Sequence, residues 1–195
     1  MKKKIISLSV ALSAALLSSS AFALDGGQVD FAGLVSDNTC TARVNGGSQD
    51  GQVQLNTAKT ADVVANQGVQ STAVGILPES FYITVDCGTS TTNATANLSM
   101  ASTFFSNSDG TLNNDDSISD PASGVNLAIH QVDSTSSAQA YSQVKVNDVS
   151  DIHKADFIDG VAKFDFVVSY VRQSGAVPVV PGYVKSNTAY TLTYE

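Results

Sequence analysis

Apolar and polar residues alternate with a period of two along most of the chain. Five such runs cover residues 81–85, 96–100, 125–129, 164–170 and 190–194, and a sixth covers residues 29–35. Each run is short, rich in β-branched or aromatic residues and bounded by Gly, Asn, Asp, Ser or Pro, which is typical of β-strands. Many short strands joined by turn-rich spacers predict an all-β sandwich.

Three segments between these runs lack the period of two. Residues 57–67 contain spaced Ala and Val residues and predict one short helical turn. Residues 106–124 are dense in Asn, Asp and Ser and predict a long exposed loop. Residues 175–182 carry Pro178 and Pro181, so they predict a connection that cannot lie in a central strand.

The N-terminus has the pattern of a secretory signal peptide. Lys2, Lys3 and Lys4 precede an apolar stretch over residues 5–17, and an A-x-A motif ends at Ala23. We therefore expect cleavage between Ala23 and Leu24. The alternative, an uncleaved membrane anchor, is disfavoured because the apolar stretch is shorter than a membrane-spanning helix needs.

Composition narrows the class of protein further. The chain has 195 residues, 43% of them hydrophobic, which is enough apolar material for a core and argues against global disorder. Its formal net charge is −8, whereas nucleic-acid binding needs clustered Lys and Arg. The composition therefore predicts an exported, acidic, folded protein that does not bind nucleic acid.

Export to an oxidising compartment predicts that the only two cysteines, Cys40 and Cys87, form a disulfide. Closing that loop would stabilise the fold by roughly 4 kcal/mol in the chain-entropy model. Free thiols or a zinc site are the competing interpretations. A zinc site would require both cysteines to converge with His130 and His153, without the usual C-x-x-C or H-x-x-x-H spacing.

No recognisable catalytic or cofactor motif occurs in the chain. The nucleophile elbow, the P-loop, G-x-G-x-x-G and H-E-x-x-H are all missing from the sequence. His153 lies among aspartates, which we interpret as a solvated loop, and His130 falls on the polar positions of its strand, so we expect it to face solvent. The sequence therefore predicts no catalytic residue, no metal site, no cofactor and no small-molecule substrate.

The runs at the two ends of the chain are unusual for a self-contained sandwich. One strand-like run starts within a few residues of the expected cleavage site, and the last run reaches the final residues. An antiparallel sandwich usually continues with a further strand after such a run. Either the core is complete without that strand, or another chain supplies it.

Several motifs occur together in the same order as in one known family. G-G-x-V-x-F-x-G covers residues 26–33 and is followed by Val35 and Cys40, and an F-x-I-x-V strand precedes Cys87. Near the C-terminus, Gly182 precedes an apolar alternation that ends in a penultimate Tyr, Tyr194. With these motifs the chain resembles the type 1 fimbrial pilins of the chaperone–usher pathway over essentially all of its length after residue 23.

The resemblance implies an incomplete immunoglobulin-like β-sandwich over residues 37–195, which lacks its last strand. Residues 24–36 would then be a donor-strand extension, whose groove-filling positions are Val29, Phe31, Gly33 and Val35. The acceptor groove, which the chaperone faces first, would be bordered by Gly182, Tyr190, Leu192 and Tyr194. In such a complex the backbone ladder supplies affinity and alternate side chains fill pockets.

The resemblance also implies a function and partners. The protein would be a non-enzymatic structural subunit of a bacterial surface fimbria, or pilus, that supports cell adhesion through the assembled fibre. A periplasmic chaperone would capture it, an outer-membrane usher would receive it, and donor-strand exchange would join it to neighbouring pilin subunits, forming a homopolymer. It would pass through the periplasm to the cell surface.

Two other functions stay open on the sequence alone. A self-contained secreted binding module, such as a lectin, would be a stable monomer and would need aromatic residues on its loops, which here are mostly Ser, Asn and Asp. A periplasmic hydrolase on a β-sandwich would need a pocket with perturbed Asp or His residues, and no motif points to one.

Overall fold

The computed structural model describes residues 40–89, 91–133 and 139–195. All described residues belong to one compact unit. The expected signal peptide (residues 1–23) and donor-strand extension (residues 24–36) lie outside the described residues. Their boundaries, and that of the pilin domain at residue 37, therefore stay predictions.

The described residues form strands and one short helix. In chain order these elements are β1 (Thr41–Val44), α1 (Thr60–Ala65), β2 (Ile76–Asp86), β3 (Thr95–Ala101), β4 (Leu112–Asn113), β5 (Val125–Asp133), β6 (Ala140–Val144), β7 (His153–Asp156), β8 (Val161–Arg172) and β9 (Ala189–Tyr194). The five runs of alternating residues that lie in this part of the chain fall within β2, β3, β5, β8 and β9, and α1 lies within the segment predicted to be helical. The all-β prediction is confirmed.

The strands are arranged in two antiparallel sheets. In the first sheet the order is β1-β2-β8-β5, and β4 and β6 both pair with β5. In the second sheet β3 is central, with β7 on one side and β9 on the other. One buried cluster draws side chains from both sheets, so the two sheets pack face to face as a sandwich.

The centre of the core is aromatic. Phe164 and Phe166 alternate along β8 and are almost fully buried, and their rings stack with centroids 6.2 Å apart. Phe81 on the paired strand β2 stacks on Phe166 at 5.3 Å. Leu98 of the second sheet is also fully buried in this cluster. The period of two thus places one side of each strand in the core.

The disulfide joins residues at the ends of two paired strands. Cys40 precedes β1 and Cys87 follows β2, and these strands pair with Thr41 opposite Asp86. This register brings the two sulfur atoms into bonding distance, and the Cys40–Cys87 disulfide is formed. The predicted pairing is confirmed, and both free thiols and a zinc site using these cysteines are ruled out.

The expectation that His130 faces solvent is wrong. His130 does lie on the outer face of β5, but its side chain is fully buried. The connection from α1 to β2 crosses that face, and the carbonyl oxygen of Gln70 lies 2.7 Å from His130 Nε2. This connection is distant from His130 in the sequence. The polar residues next to His130 therefore did not indicate that its side chain would be covered.

Burial lowers the pKa of His130 below its ordinary value, although the Gln70 carbonyl partly opposes the shift. The folded state therefore holds a neutral imidazole at a pH where the unfolded chain already binds a proton. Stability should fall as the pH drops below about 6.5, by at most about 1.4 kcal/mol per pH unit from this one group.

A His130→Gln variant should lose this part of the pH dependence, because it has no proton to bind. Urea midpoints measured at pH 7.5 and pH 5.5 check the prediction, with the wild type falling more than the variant. Equal falls in both proteins would show that His130 does not contribute.

The interpretation of His153 as part of a solvated loop is also wrong. His153 begins β7 and is 5% exposed. Its Nδ1 lies 2.6 Å from Gln131 Oε1, its Nε2 lies 3.0 Å from Asp151 Oδ2, and its ring packs edge-on against Phe166. These contacts join the end of the second sheet to β5 of the first, so His153 is part of the sandwich structure.

The predicted loop at residues 106–124 is more structured than expected. It contains β4, and both Thr111 and Leu112 are buried. The Thr111 hydroxyl donates to Asp109 Oδ1 at 2.6 Å and accepts a hydrogen bond from Asn126 Nδ2 at 2.9 Å. Polar side chains that indicated an exposed loop thus form hydrogen bonds with one another inside the fold.

Candidate functional site

An open cleft of about 820 Å³ runs into the core of the sandwich. Two segments line it: residues 179–190 form the first wall, and residues 49–58 form the second wall. Its floor consists of core side chains from both sheets, namely Phe81, Ile83, Met100, Leu127, Ile129, Val168 and Tyr170. The cleft therefore opens onto the hydrophobic core, although all of these floor side chains except Phe81 are buried.

The first wall ends in β9, whose outer edge has no partner strand in the described residues. The N–H of Glu195 donates to the Thr95 carbonyl at 3.0 Å, and the N–H of Thr95 donates back at 2.8 Å. The backbone N–H and C=O groups alternate in direction along a strand. Those of Tyr190, Leu192 and Tyr194 therefore point away from β3. These residues therefore present a ladder edge that no described strand occupies.

The side chains of the same three residues pack against the core. Burial raises the pKa of the Tyr190 phenol, and the nearby Asp50 carboxylate and Tyr194 raise it further. Burial also raises the pKa of Tyr194. Both phenols are therefore neutral at physiological pH and their hydroxyl groups are hydrogen-bond donors.

Gly182 allows the first wall to pack closely on the loop before β5. A Cβ at this position would lie 2.5 Å from both the Ala122 nitrogen and the Asp120 oxygen. Next to it, the N–H of Tyr183 donates to the Asp120 carbonyl at 2.8 Å, and the N–H of Ala122 donates to the Tyr183 carbonyl at 2.9 Å. Only glycine fits between these backbones without moving the wall.

A Gly182→Ala substitution should therefore destabilise the protein by about 1–3 kcal/mol, as overpacking typically does. Urea unfolding measures the loss. Gly47→Ala is a matched control, because its added Cβ would meet only the Val44 carbonyl oxygen, at the ordinary contact distance of 3.4 Å. If both variants were equally stable, the close approach at Gly182 would not be important for the wall.

The second wall, residues 49–58, belongs to no strand and pairs with none among the described residues. Val53 and Leu55 pack against the core. Side chains from across the cleft hold the segment in place: the Tyr170 hydroxyl donates to the Asn56 carbonyl at 3.0 Å, and the Tyr190 hydroxyl donates to the Gln49 carbonyl at 2.8 Å. Among the described residues, neither this segment nor the outer edge of β9 pairs with a further strand along the cleft.

Most side chains that line the cleft are uncharged. Asp50 and Lys185 are the charged residues that line it. Among residues 40–89, 91–133 and 139–195, no three His, Cys, Asp or Glu side chains are grouped so that they could hold a metal ion. In the same part of the chain, no helix has the length and apolar character to cross a membrane.

The predicted site residues are only partly brought together. Gly182 and Tyr190 line the cleft, whereas Leu192 and Tyr194 lie farther along β9 and pack against the core. The expected donor residues Val29, Phe31, Gly33 and Val35 lie outside the described residues, as do Ala23 and Leu24.

Sequence reasoning missed the second wall of the cleft. The signal was present, because Val53 and Leu55 alternate with Gln52 and Gln54 in the manner of a strand. The run is only four residues long and is surrounded by polar residues, so it did not stand out from the loops.

No protein-family model matches the chain, and no curated protein matches it in sequence. Its structure is similar to solved structures of pilus proteins. A subunit in a chaperone–usher pilus structure is 16% identical, with a TM-score of 0.58, and the match covers 88% of this chain and 97% of that one. The P pilus rod subunit PapA is 16% identical, with a TM-score of 0.53, and the match covers 79% of this chain and 99% of PapA. The described sandwich therefore has the fold of chaperone–usher pilus rod subunits.

Proposed function

We propose that this protein is a non-enzymatic structural subunit of a surface fimbria of the chaperone–usher type, which polymerises by donor-strand exchange. The observation that carries the proposal is the cleft, which opens onto the sandwich core between residues 49–58 and the edge of β9, neither of which pairs with a further strand in the described part of the chain. One extended strand inserted there would form a ladder with β9 and cover the apolar floor. This is β-strand addition, in which the ladder gives affinity and alternate side chains give specificity.

The occupant in the fibre is residues 24–36 of a neighbouring copy. This segment has the alternation that the cleft requires, since Val29, Phe31 and Val35 share one face of an extended chain. Burying these three side chains would contribute on the order of 5–8 kcal/mol before entropy costs. Gly33 on the same face suits a point where the acceptor leaves no room for a side chain.

A periplasmic chaperone fills the cleft before assembly. An empty cleft combines an apolar patch with a bare strand edge, and both promote aggregation. The subunit therefore passes from the chaperone to an outer-membrane usher and then to the growing fibre on the cell surface. Adhesion belongs to the assembled fibre.

A Tyr194→Ala substitution tests the acceptor role of β9. Tyr194 packs against the core beside the free edge, and its ring lies 6.2 Å from that of Phe157. The substitution should reduce chaperone capture severalfold, measured as subunit that co-purifies with the chaperone from periplasmic extracts. Thr193→Ala, on the exposed face of the same strand, is the matched control and should leave capture unchanged. Undiminished capture of Tyr194→Ala would argue against a chaperone-facing β9.

A further inference from the structure

The Tyr190 side chain connects the two walls of the cleft. It starts on β9 in the first wall, and its hydroxyl donates to the carbonyl oxygen of Gln49 in the second wall at 2.8 Å. The two residues are 141 positions apart in the chain. No strand pairing joins residues 49–58 to β9 within the described residues, so this hydrogen bond is a direct tie between the walls.

The tie lies at a distinct point along the cleft. Residues 179–189, on one side of Tyr190, line the open cleft, whereas Leu192 and Tyr194 lie on its other side. The Tyr190 side chain is on the core-facing side of β9, like that of Leu192. Its hydroxyl group reaches the Gln49 carbonyl across the gap between β9 and residues 49–58, into which an inserted strand would have to extend.

We infer that the Tyr190–Gln49 hydrogen bond is a latch that an incoming strand must break before it can pair with the Leu192–Tyr194 part of β9. The inference rests on the proposed function, because it concerns the same cleft. A strand would first enter the open part, between residues 52–58 and 179–189. It would extend along β9 only after the Tyr190 hydroxyl had released the Gln49 carbonyl.

This latch has a kinetic consequence that a purely structural contact lacks. The hydrogen bond stabilises the empty cleft and is absent once the strand is in place. Removing it should therefore speed strand insertion without changing the rate at which the inserted strand leaves. The loss of one neutral hydrogen bond predicts insertion about fivefold faster.

The test uses the exported full-length chain and a fluorescent peptide with the sequence of residues 24–38. Tyr190→Phe removes the hydroxyl and keeps the ring. Tyr141→Phe, on β6 outside the cleft, is the matched control. Association and dissociation rates are measured by stopped-flow and by competition. We expect about fivefold faster association for Tyr190→Phe, an unchanged dissociation rate, and wild-type rates for Tyr141→Phe.

Hydrogen exchange without peptide gives a second, independent readout. The amides of residues 49–55 should exchange faster in Tyr190→Phe than in the wild type, because the wall is released. Unchanged exchange, or peptide association at the wild-type rate, would overturn the latch while leaving the proposed function intact. Failure of the wild-type protein to bind the peptide would overturn the proposed function, whatever the exchange shows.

Discussion

A Phe31→Asp substitution should abolish fibre assembly while leaving chaperone capture intact. In the proposed fibre, Phe31 of one subunit lies in the cleft of its neighbour. The substitution removes about 2–3 kcal/mol of apolar burial and adds the several kcal/mol that an unpaired carboxylate costs in an apolar site. Capture should survive, because in the proposed pathway the chaperone binds the cleft, whose walls are residues 49–58 and 179–190.

Ala32→Asp is the matched control for this prediction. It adds the same charge at the next residue, whose side chain would face away from the cleft in an extended segment. Fibres on the cell surface are counted by electron microscopy, and captured subunit is measured by co-purification with the chaperone. Normal fibres with Phe31→Asp, or equal defects in both variants, would contradict the assignment of residues 24–36 as the donor strand.

Replacing Cys40 and Cys87 together by serine should cost about 4 kcal/mol of stability, because the disulfide closes a loop of 47 residues. Proteins of this size are stable by only about 5–15 kcal/mol, so the loss is a large fraction of the total. We expect the double variant to unfold at much lower urea concentration and to accumulate poorly in the periplasm.

Wild-type protein unfolded in the presence of a reductant is the control for the cysteine variant. Reduction breaks the same disulfide without replacing any residue. Both samples should lose a similar amount of stability. A loss below about 1 kcal/mol in both would mean that the loop is already restricted in the unfolded state.

The longer strands of the sandwich could be predicted from the sequence because one face of each packs against the core. β8 and β9 follow a period of two, and that period is set by the core itself. The edge strands β1, β6 and β7 were not predicted, because they are four or five residues long and mostly polar. A polar edge strand has the same local pattern as a loop.

Burial of a side chain by a segment that is distant in the sequence could not be predicted from the local pattern of residues. His130 is polar, lies on the outer face of β5 and is nevertheless buried, because the connection that holds Gln70 crosses that face. Only the folded chain reveals this contact between residues 60 positions apart.

The candidate site was also partly predictable. The resemblance pointed to Gly182 and Tyr190, and both line the cleft. The physical reason for Gly182, a backbone approach that leaves no room for a Cβ, needs the loop at residues 120–122 to be in place. The second wall, with Val53 and Leu55, was not predicted, because its alternation is only four residues long and is surrounded by polar residues.

Thermal unfolding tests the central claim most directly. The protein without residues 24–35 is heated alone and with a synthetic peptide of residues 24–38. We expect a large rise in melting temperature with the peptide, together with very slow peptide dissociation. A cooperative, stable monomer whose melting temperature the peptide does not change would contradict it, and would favour a self-contained binding module.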